Sequence, residues 1–113
     1  MSLGKKLMEL RSGRERKQIE VSEWAEIIPC IYVRPLSAGD VDKIQRKHKD
    51  FINNPTVAAM VDLIILKAED ENGDKLFSLE DKAFLLGEEL SVISAVAQEM
   101  FNDVTSAEAA EKN

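Results

Sequence analysis

The chain has 113 residues and a mass of 12.7 kDa, with 44% hydrophobic, 32% charged and 5% aromatic residues, which fits one small domain and excludes a large multidomain enzyme. Its longest apolar stretch is well short of the ~20 residues of a membrane helix. Residues 1–16 lack the apolar segment of a signal peptide, and a single cysteine excludes an internal disulfide. We therefore expect the protein to lie in a reducing cytoplasm. The formal charge of −6 divides into six bases and three acids in residues 1–20, a balanced middle, and twelve acids and three bases in residues 68–113, a pattern that disfavours nucleic acid as the main partner.

Residues 1–16 are predicted to be a mobile basic arm. Apolar side chains at helical spacing over Leu3–Leu10 predict a short helix, which Ser12 and Gly13 end after about two turns. A helix of this length is marginal in isolation, so we expect it to order only against the body of the protein or against a partner.

A two-stranded antiparallel ribbon is predicted next. Apolar and polar residues alternate from Lys17, and a β-branched and aromatic run, Cys30–Val33, lies between two prolines. Such a ribbon is unstable alone. We therefore expect its apolar face to pack on the helices that follow, through Ile19, Val21, Ile31 and Val33.

Two helices are predicted in the middle of the chain. Ser37, with Asp40 three residues later, has the pattern of a capped helix start, and the helix is expected to run to about Asn53. Asn54 and Pro55 are the expected cap and first residue of the next helix, which extends to about residue 69. This second helix is apolar nearly all round, which indicates that it is central or that one side meets another protein.

The C-terminal part of the chain is predicted to hold two more helices. Ser78 and Asp81 repeat the capping pattern and open a helix that Gly87 ends, and the last helix runs over residues 89–104. Residues 105–113 are expected to be a disordered tail. The prediction is a mainly α fold with a short N-terminal antiparallel β-ribbon (α+β) and four principal helices, in a single globular domain over residues 17–104.

The sequence offers little for catalysis or for metal binding. Cys30 lies in an apolar run typical of an inert buried thiol, and His48 lies among basic residues typical of a surface. The acidic turn that begins at Asp70 has the alternate spacing of a calcium loop, but Lys75 occupies the sixth position, where such a loop needs glycine. No catalytic, cofactor-binding or metal site is predicted.

Apolar surface is the remaining feature with a functional implication. The helices contribute more aliphatic side chains than a thin ribbon and its neighbours obviously cover, and large exposed apolar faces indicate association with partners. The alternative, that all of these side chains are core, has equal weight on the sequence alone.

The order of the elements and of the motifs between them resembles a known family. The ribbon ends in Val33-Arg34-Pro35-Leu36-Ser37-Ala38-Gly39-Asp40, and after an apolar helix the segment DENGDKLFSLED, residues 70–81, precedes a final amphipathic helix. Over residues 17–104 this order is similar to that of the tail assembly chaperones of long-tailed bacteriophages.

The resemblance implies a non-catalytic protein of the infected bacterium's cytoplasm that is absent from the mature virion. It would bind the tape measure protein, keep it soluble and promote polymerisation of the tail tube around it. It implies self-association as a homo-oligomer, and contact with the tail tube protein through a longer product of ribosomal frameshifting. No cofactor and no membrane are implied. The partner-binding residues that we predict are Leu7, Met8, Trp24, Met60, Leu63, Ile64 and Leu66.

A second hypothesis comes from a different functional class. The basic arm, Lys5 to Lys17, could contact phosphates in a small regulatory or nucleic-acid-binding protein. The arm has no neighbouring aromatic residues to stack on bases and no recognition motif, so nucleic acid is the less favoured partner.

Overall fold

The computed structural model describes residues 2–12 and 16–112, with side chains described for residues 2–10 and 16–101. Within these residues the chain forms five α-helices and one two-stranded antiparallel sheet, which confirms the mainly helical α+β prediction. The elements are α1 (Leu3–Ser12), β1 (Lys17–Glu20), β2 (Cys30–Val33), α2 (Ala38–Lys47), α3 (Val57–Lys67), α4 (Lys82–Leu86) and α5 (Leu90–Lys112).

Helix α3 is the centre of the fold. It packs against α2, α4 and α5, and this position explains why a helix that is apolar nearly all round is stable in a small protein. No helix within the described residues is both long enough and apolar enough to span a membrane.

The ribbon packs on this helical layer through the face that the alternation predicts. Ile19 on β1 is paired with Ile31 on β2, and these two side chains are buried together with Val21 and Val33. The predicted apolar face of the ribbon is therefore confirmed. Its polar residues point the other way because successive side chains of a strand alternate between faces.

Glu69, which follows α3, extends the sheet by one residue. The backbone of Tyr32 on β2 exchanges two hydrogen bonds of 2.9 Å with that of Glu69, and Glu69 in turn bridges to Lys75. The outer edge of β2 is thus paired with chain that follows the central helix. This contact ties the N-terminal ribbon to the segment between α3 and α4.

Helix α2 begins as predicted and ends early. Ser37 and Asp40 form a capping box, in which the Ser37 hydroxyl accepts from the Asp40 amide at 3.1 Å and the Asp40 carboxylate accepts from the Ser37 amide at 3.0 Å. The prediction that the helix runs to Asn53 is wrong, because the backbone leaves helical geometry at His48. A turn follows, in which the Phe51 amide donates to the His48 carbonyl and the Phe51 ring enters the core.

Helix α3 starts two residues later than the sequence suggested. Thr56, not Asn54, is the N-cap: its backbone is extended and its hydroxyl accepts from the Ala59 amide at 3.1 Å. Pro55 consequently lies before the helix and not inside its first turn.

The C-terminal helices follow a second capping box, formed as predicted by Ser78 and Asp81. One 3₁₀ turn, Leu79–Asp81, leads into α4, which ends at Gly87. Helix α5 extends to Lys112 and so passes the predicted end at residue 104. The predicted disorder of residues 105–113 falls where no side chain is described, and the division into arm, domain and tail stays a prediction.

Candidate functional site

Two of the predicted partner-binding residues are core residues in this fold. Leu63 and Ile64 expose 1% and 0% of their surface, because α3 is covered by α2, α4 and α5. They present no surface to a partner in this conformation, and their part in partner binding stays a prediction.

Met60 lines an apolar groove between α3, α5 and the turn after α2. The groove has a volume of about 500 Å³ and is lined mainly by Ile52, Pro55, Met60, Ala97 and Phe101, with Phe51 and Leu63 beneath it. We call this site the Met60 groove.

Sulfur and aromatic contacts shape the Met60 groove. The rings of Phe51 and Phe101 meet edge to face, with centroids 5.2 Å apart, and the Ser94 hydroxyl lies 3.8 Å from the Met60 sulfur. Phe51 is buried, whereas Phe101 and Met60 are half-buried. A buried ring therefore fixes the position of a partly exposed ring, and the flexible methionine can adapt to what packs on it.

Leu66 faces a second cavity, on another side of α3. This cleft, of about 650 Å³, lies between α2, α3 and the segment before α4, and it combines an apolar floor with three lysines, Lys43, Lys47 and Lys75. We call it the lysine cleft. It shares no lining residue with the Met60 groove.

Asp62 is the polar centre of the lysine cleft. One carboxylate oxygen of Asp62 lies 2.7 Å from His48 Nε2 and 3.5 Å from Lys47 Nζ, and the other lies 3.0 Å from Lys82 Nζ. Burial opposes ionisation of Asp62, but the hydrogen bonds from His48 and Lys82 outweigh it and hold the pKa below its usual range. The same contact raises the pKa of Lys82. Asp62 therefore joins α3 to the end of α2 and to α4.

The Trp24 side chain is held by contacts within the chain. Its ring packs edge to face against Phe77, with centroids 6.0 Å apart, and its indole nitrogen donates to the Glu88 carboxylate at 3.1 Å. The side chain is half-buried, so part of the indole remains exposed beside these contacts.

Leu7 and Met8 lie on α1. Leu7 is 56% exposed, and Met8, also exposed, borders the start of α2 near Gly39. Of the seven predicted residues, only Met60 and Leu63 line a common cavity.

The comparisons with known proteins bear on the fold. No protein-family model matches the chain, and no curated protein matches it by sequence. Among solved structures, that of the bacteriophage HK97 tail assembly chaperone matches with a TM-score of 0.60 and 19% sequence identity, over 91% of this chain and 99% of that one. The chain has a tail assembly chaperone-like fold. The resemblance found in the sequence is thereby confirmed at the level of the fold.

The likeness to the HK97 tail assembly chaperone extends over nearly the whole of both chains. This tail assembly chaperone-like fold contains both cavities described above.

Exposed apolar side chains of the tail assembly chaperone-like fold also occur where the sequence analysis did not place them. The most exposed are Ile27, at 90%, and Phe84, at 78%, and others are Leu79, Leu86 and Leu90. The exposure of Phe84 follows from the shortness of α4. This helix of five residues has four consecutive apolar side chains, of which only Leu85 is buried.

Two residues of the basic arm, Arg16 and Lys17, make contacts within the chain. The Arg16 guanidinium donates to the carbonyls of Asp70 and Glu71 at 2.9 and 2.7 Å and lies 4.8 Å from the centroid of the Tyr32 ring. The Lys17 ammonium is 3.1 Å from the carboxylate of Glu99. These two cations are therefore engaged in contacts within the chain.

The acidic turn has an internal role as well. One carboxylate oxygen of Asp70 accepts from the amides of Asn72 and Asp74, at 2.8 and 3.0 Å, and Gly73 takes a φ of +90°. Among the side chains that the structure describes, no three His, Cys, Asp or Glu groups converge as metal ligands would. The acids of this turn shape the loop.

Proposed function

We propose that the chain is a bacteriophage tail assembly chaperone that acts by binding and without turnover chemistry. Its client would be the tape measure protein, which it would keep soluble while the tail tube polymerises around it. The observation that carries this proposal is the match in fold to the HK97 tail assembly chaperone over 91% of the chain. The order of motifs over residues 17–104 supports the same proposal independently, because those motifs are features of the sequence and not of the fold comparison.

The Met60 groove is the surface that suits such a client best. A long helical protein presents apolar side chains at intervals of three and four residues, and such a helix binds by laying its apolar face in a groove. The groove offers Ile52, Met60 and Phe101 as partly exposed contacts. Leu7 on α1 and the exposed part of Trp24 would be separate points of contact for a longer client.

The wider setting follows from the same proposal. Several copies acting along one tape measure protein would add avidity, which favours a homo-oligomer. Recruitment of the tail tube protein would need a longer frameshifted product. The site of action would be the cytoplasm of the infected bacterium, and the chaperone would leave before the virion is complete.

The test is co-expression with the tape measure protein of the same phage. The wild-type chain is expected to move the tape measure protein from the insoluble to the soluble fraction and to co-purify with it. Met60→Glu introduces a charge into the groove and is expected to abolish both effects.

Val57→Glu is the matched control, because Val57 lies on the same helix and is exposed outside the groove. It is expected to behave as wild type, and circular dichroism must show both variants folded. Equal loss of client in both variants would remove the Met60 groove from the proposal. A folded wild-type chain that fails to solubilise the tape measure protein would overturn the function itself.

A further inference from the structure

The lysine cleft has a charge pattern that the fold does not use. Among the described residues, Lys43 on α2 and Lys75 before α4 make no ion pair and no side-chain hydrogen bond, although both line the cleft. Exposed unpaired lysines are common, but these two border one cavity whose floor is apolar, formed in part by Ile65, Leu66 and Leu76. Cations next to an apolar floor form an amphipathic site.

The acids that line the cleft are already engaged. Asp62 contacts His48, Lys47 and Lys82, as described above, and Asp81 accepts from the amide of Ser78 at 2.8 Å in the capping box. Neither carboxylate makes an ion pair with Lys43 or Lys75. Three lysines and two aspartates line the cleft, so its lining carries a net positive formal charge, even though the whole chain carries −6.

We propose that the lysine cleft binds an apolar protein segment that carries carboxylates. The apolar side chains of the segment would cover Leu66 and Leu76, and its Asp or Glu residues would pair with Lys43 and Lys75. The cleft and the Met60 groove are separate surfaces, so this proposal goes beyond the chaperone function and does not depend on it. A protein with both sites can hold two segments at once.

Charge and shape favour a peptide over a nucleic acid. Nucleic-acid sites pair cations with aromatic faces on which bases stack, whereas the one aromatic ring of this cleft, Phe77, is packed against Trp24. The floor is aliphatic, which suits leucine-like side chains. Two exposed lysines that line the same cleft as this floor favour a segment that carries acids beside its apolar side chains.

The experiment uses the full chain and synthetic peptides of about 15 residues, the length at which isolated helices become measurable in water. The glutamate peptide carries a leucine stripe flanked by two glutamates, and the glutamine and lysine peptides replace only those two residues. Binding is measured by fluorescence anisotropy. The glutamate peptide is expected to bind, the glutamine peptide to bind about fivefold more weakly, and the lysine peptide to bind weakest.

Charge reversal of the protein provides the decisive comparison. Lys43→Glu and Lys75→Glu are each expected to weaken binding of the glutamate peptide about fivefold and to strengthen binding of the lysine peptide. Lys49→Glu is the matched control, since Lys49 is exposed, makes no ion pair among the described residues and lies outside the cleft. It makes the same change in net charge and is expected to alter binding less than twofold.

The gain for the lysine peptide separates lost contact from lost fold, because an unfolded variant binds neither peptide. Equal binding of the glutamate and glutamine peptides, or an equal effect of Lys49→Glu, would overturn the proposal. Binding of a single-stranded oligonucleotide in place of the peptides, lost in Lys43→Glu, would overturn it too.

Discussion

Replacing Leu63 with alanine is expected to lower the free energy of unfolding by about 3 kcal/mol. The change removes three carbons from a side chain that is 1% exposed, and each buried methylene contributes about 0.8 kcal/mol, which gives about 2.4 kcal/mol for transfer alone. A cavity adds to this loss. Leu→Ala changes in protein cores span about 2.7–5.0 kcal/mol. Because Leu63 borders the Met60 groove, its surroundings can collapse in part, and we expect the lower half of that range.

The assay is urea unfolding followed by far-ultraviolet circular dichroism. Val57→Ala provides the comparison, since Val57 is on the same helix and 42% exposed, and it is expected to cost less than about 1 kcal/mol. If Leu63→Ala cost no more than Val57→Ala and still abolished client binding, Leu63 would be a contact residue and not a core residue.

Three further predictions concern polar and backbone features. Asp62→Asn is expected to destabilise the protein at pH 7 by about 2 kcal/mol and to flatten the loss of stability in acid. The sign follows from linkage: the lowered pKa of Asp62 means that its carboxylate stabilises the fold above an unfolded pKa of about 4, and this contribution disappears as the pH falls through the folded pKa. Urea titrations between pH 7 and pH 2 measure it, and a variant with the wild-type slope would contradict it. Ser37→Ala is expected to cost about 1 kcal/mol in the same assay through loss of the cap of α2, whereas Ser37→Thr should retain most of it. Gly73→Ala is expected to cost about 1 kcal/mol or more because of the φ of +90°, and a neutral or stabilising effect would show that the turn relaxes.

Local chemistry explains what the sequence predicted well. The Ser37 and Ser78 capping boxes depend on residues three positions apart, and the buried face of the ribbon depends on strict alternation, so both are encoded within a few residues. The motif order had the same local character. Together these features were enough to predict the fold class and its resemblance.

The remaining features depend on contacts between distant residues. Helix α2 ends at Lys47 because His48 turns toward Asp62 on α3 and Phe51 enters the core, and no nearby sequence signal announces either event. The exposure of individual α3 residues could not be predicted from the sequence either. Met60 and Leu63 are three positions apart on one helix, yet the first is half-buried and the second is buried, because of the elements that pack on α3.

The pairing of Tyr32 with Glu69 sets a limit on how early the ribbon can be completed during synthesis. A two-stranded ribbon has little stability of its own, and here the outer edge of β2 is completed by a residue that is synthesised 37 positions later, after the whole of α3. Arg16, which precedes β1, likewise donates its hydrogen bonds to carbonyls that are synthesised much later, those of Asp70 and Glu71. These contacts of the ribbon can therefore form only after α3 and the turn beyond it have been synthesised.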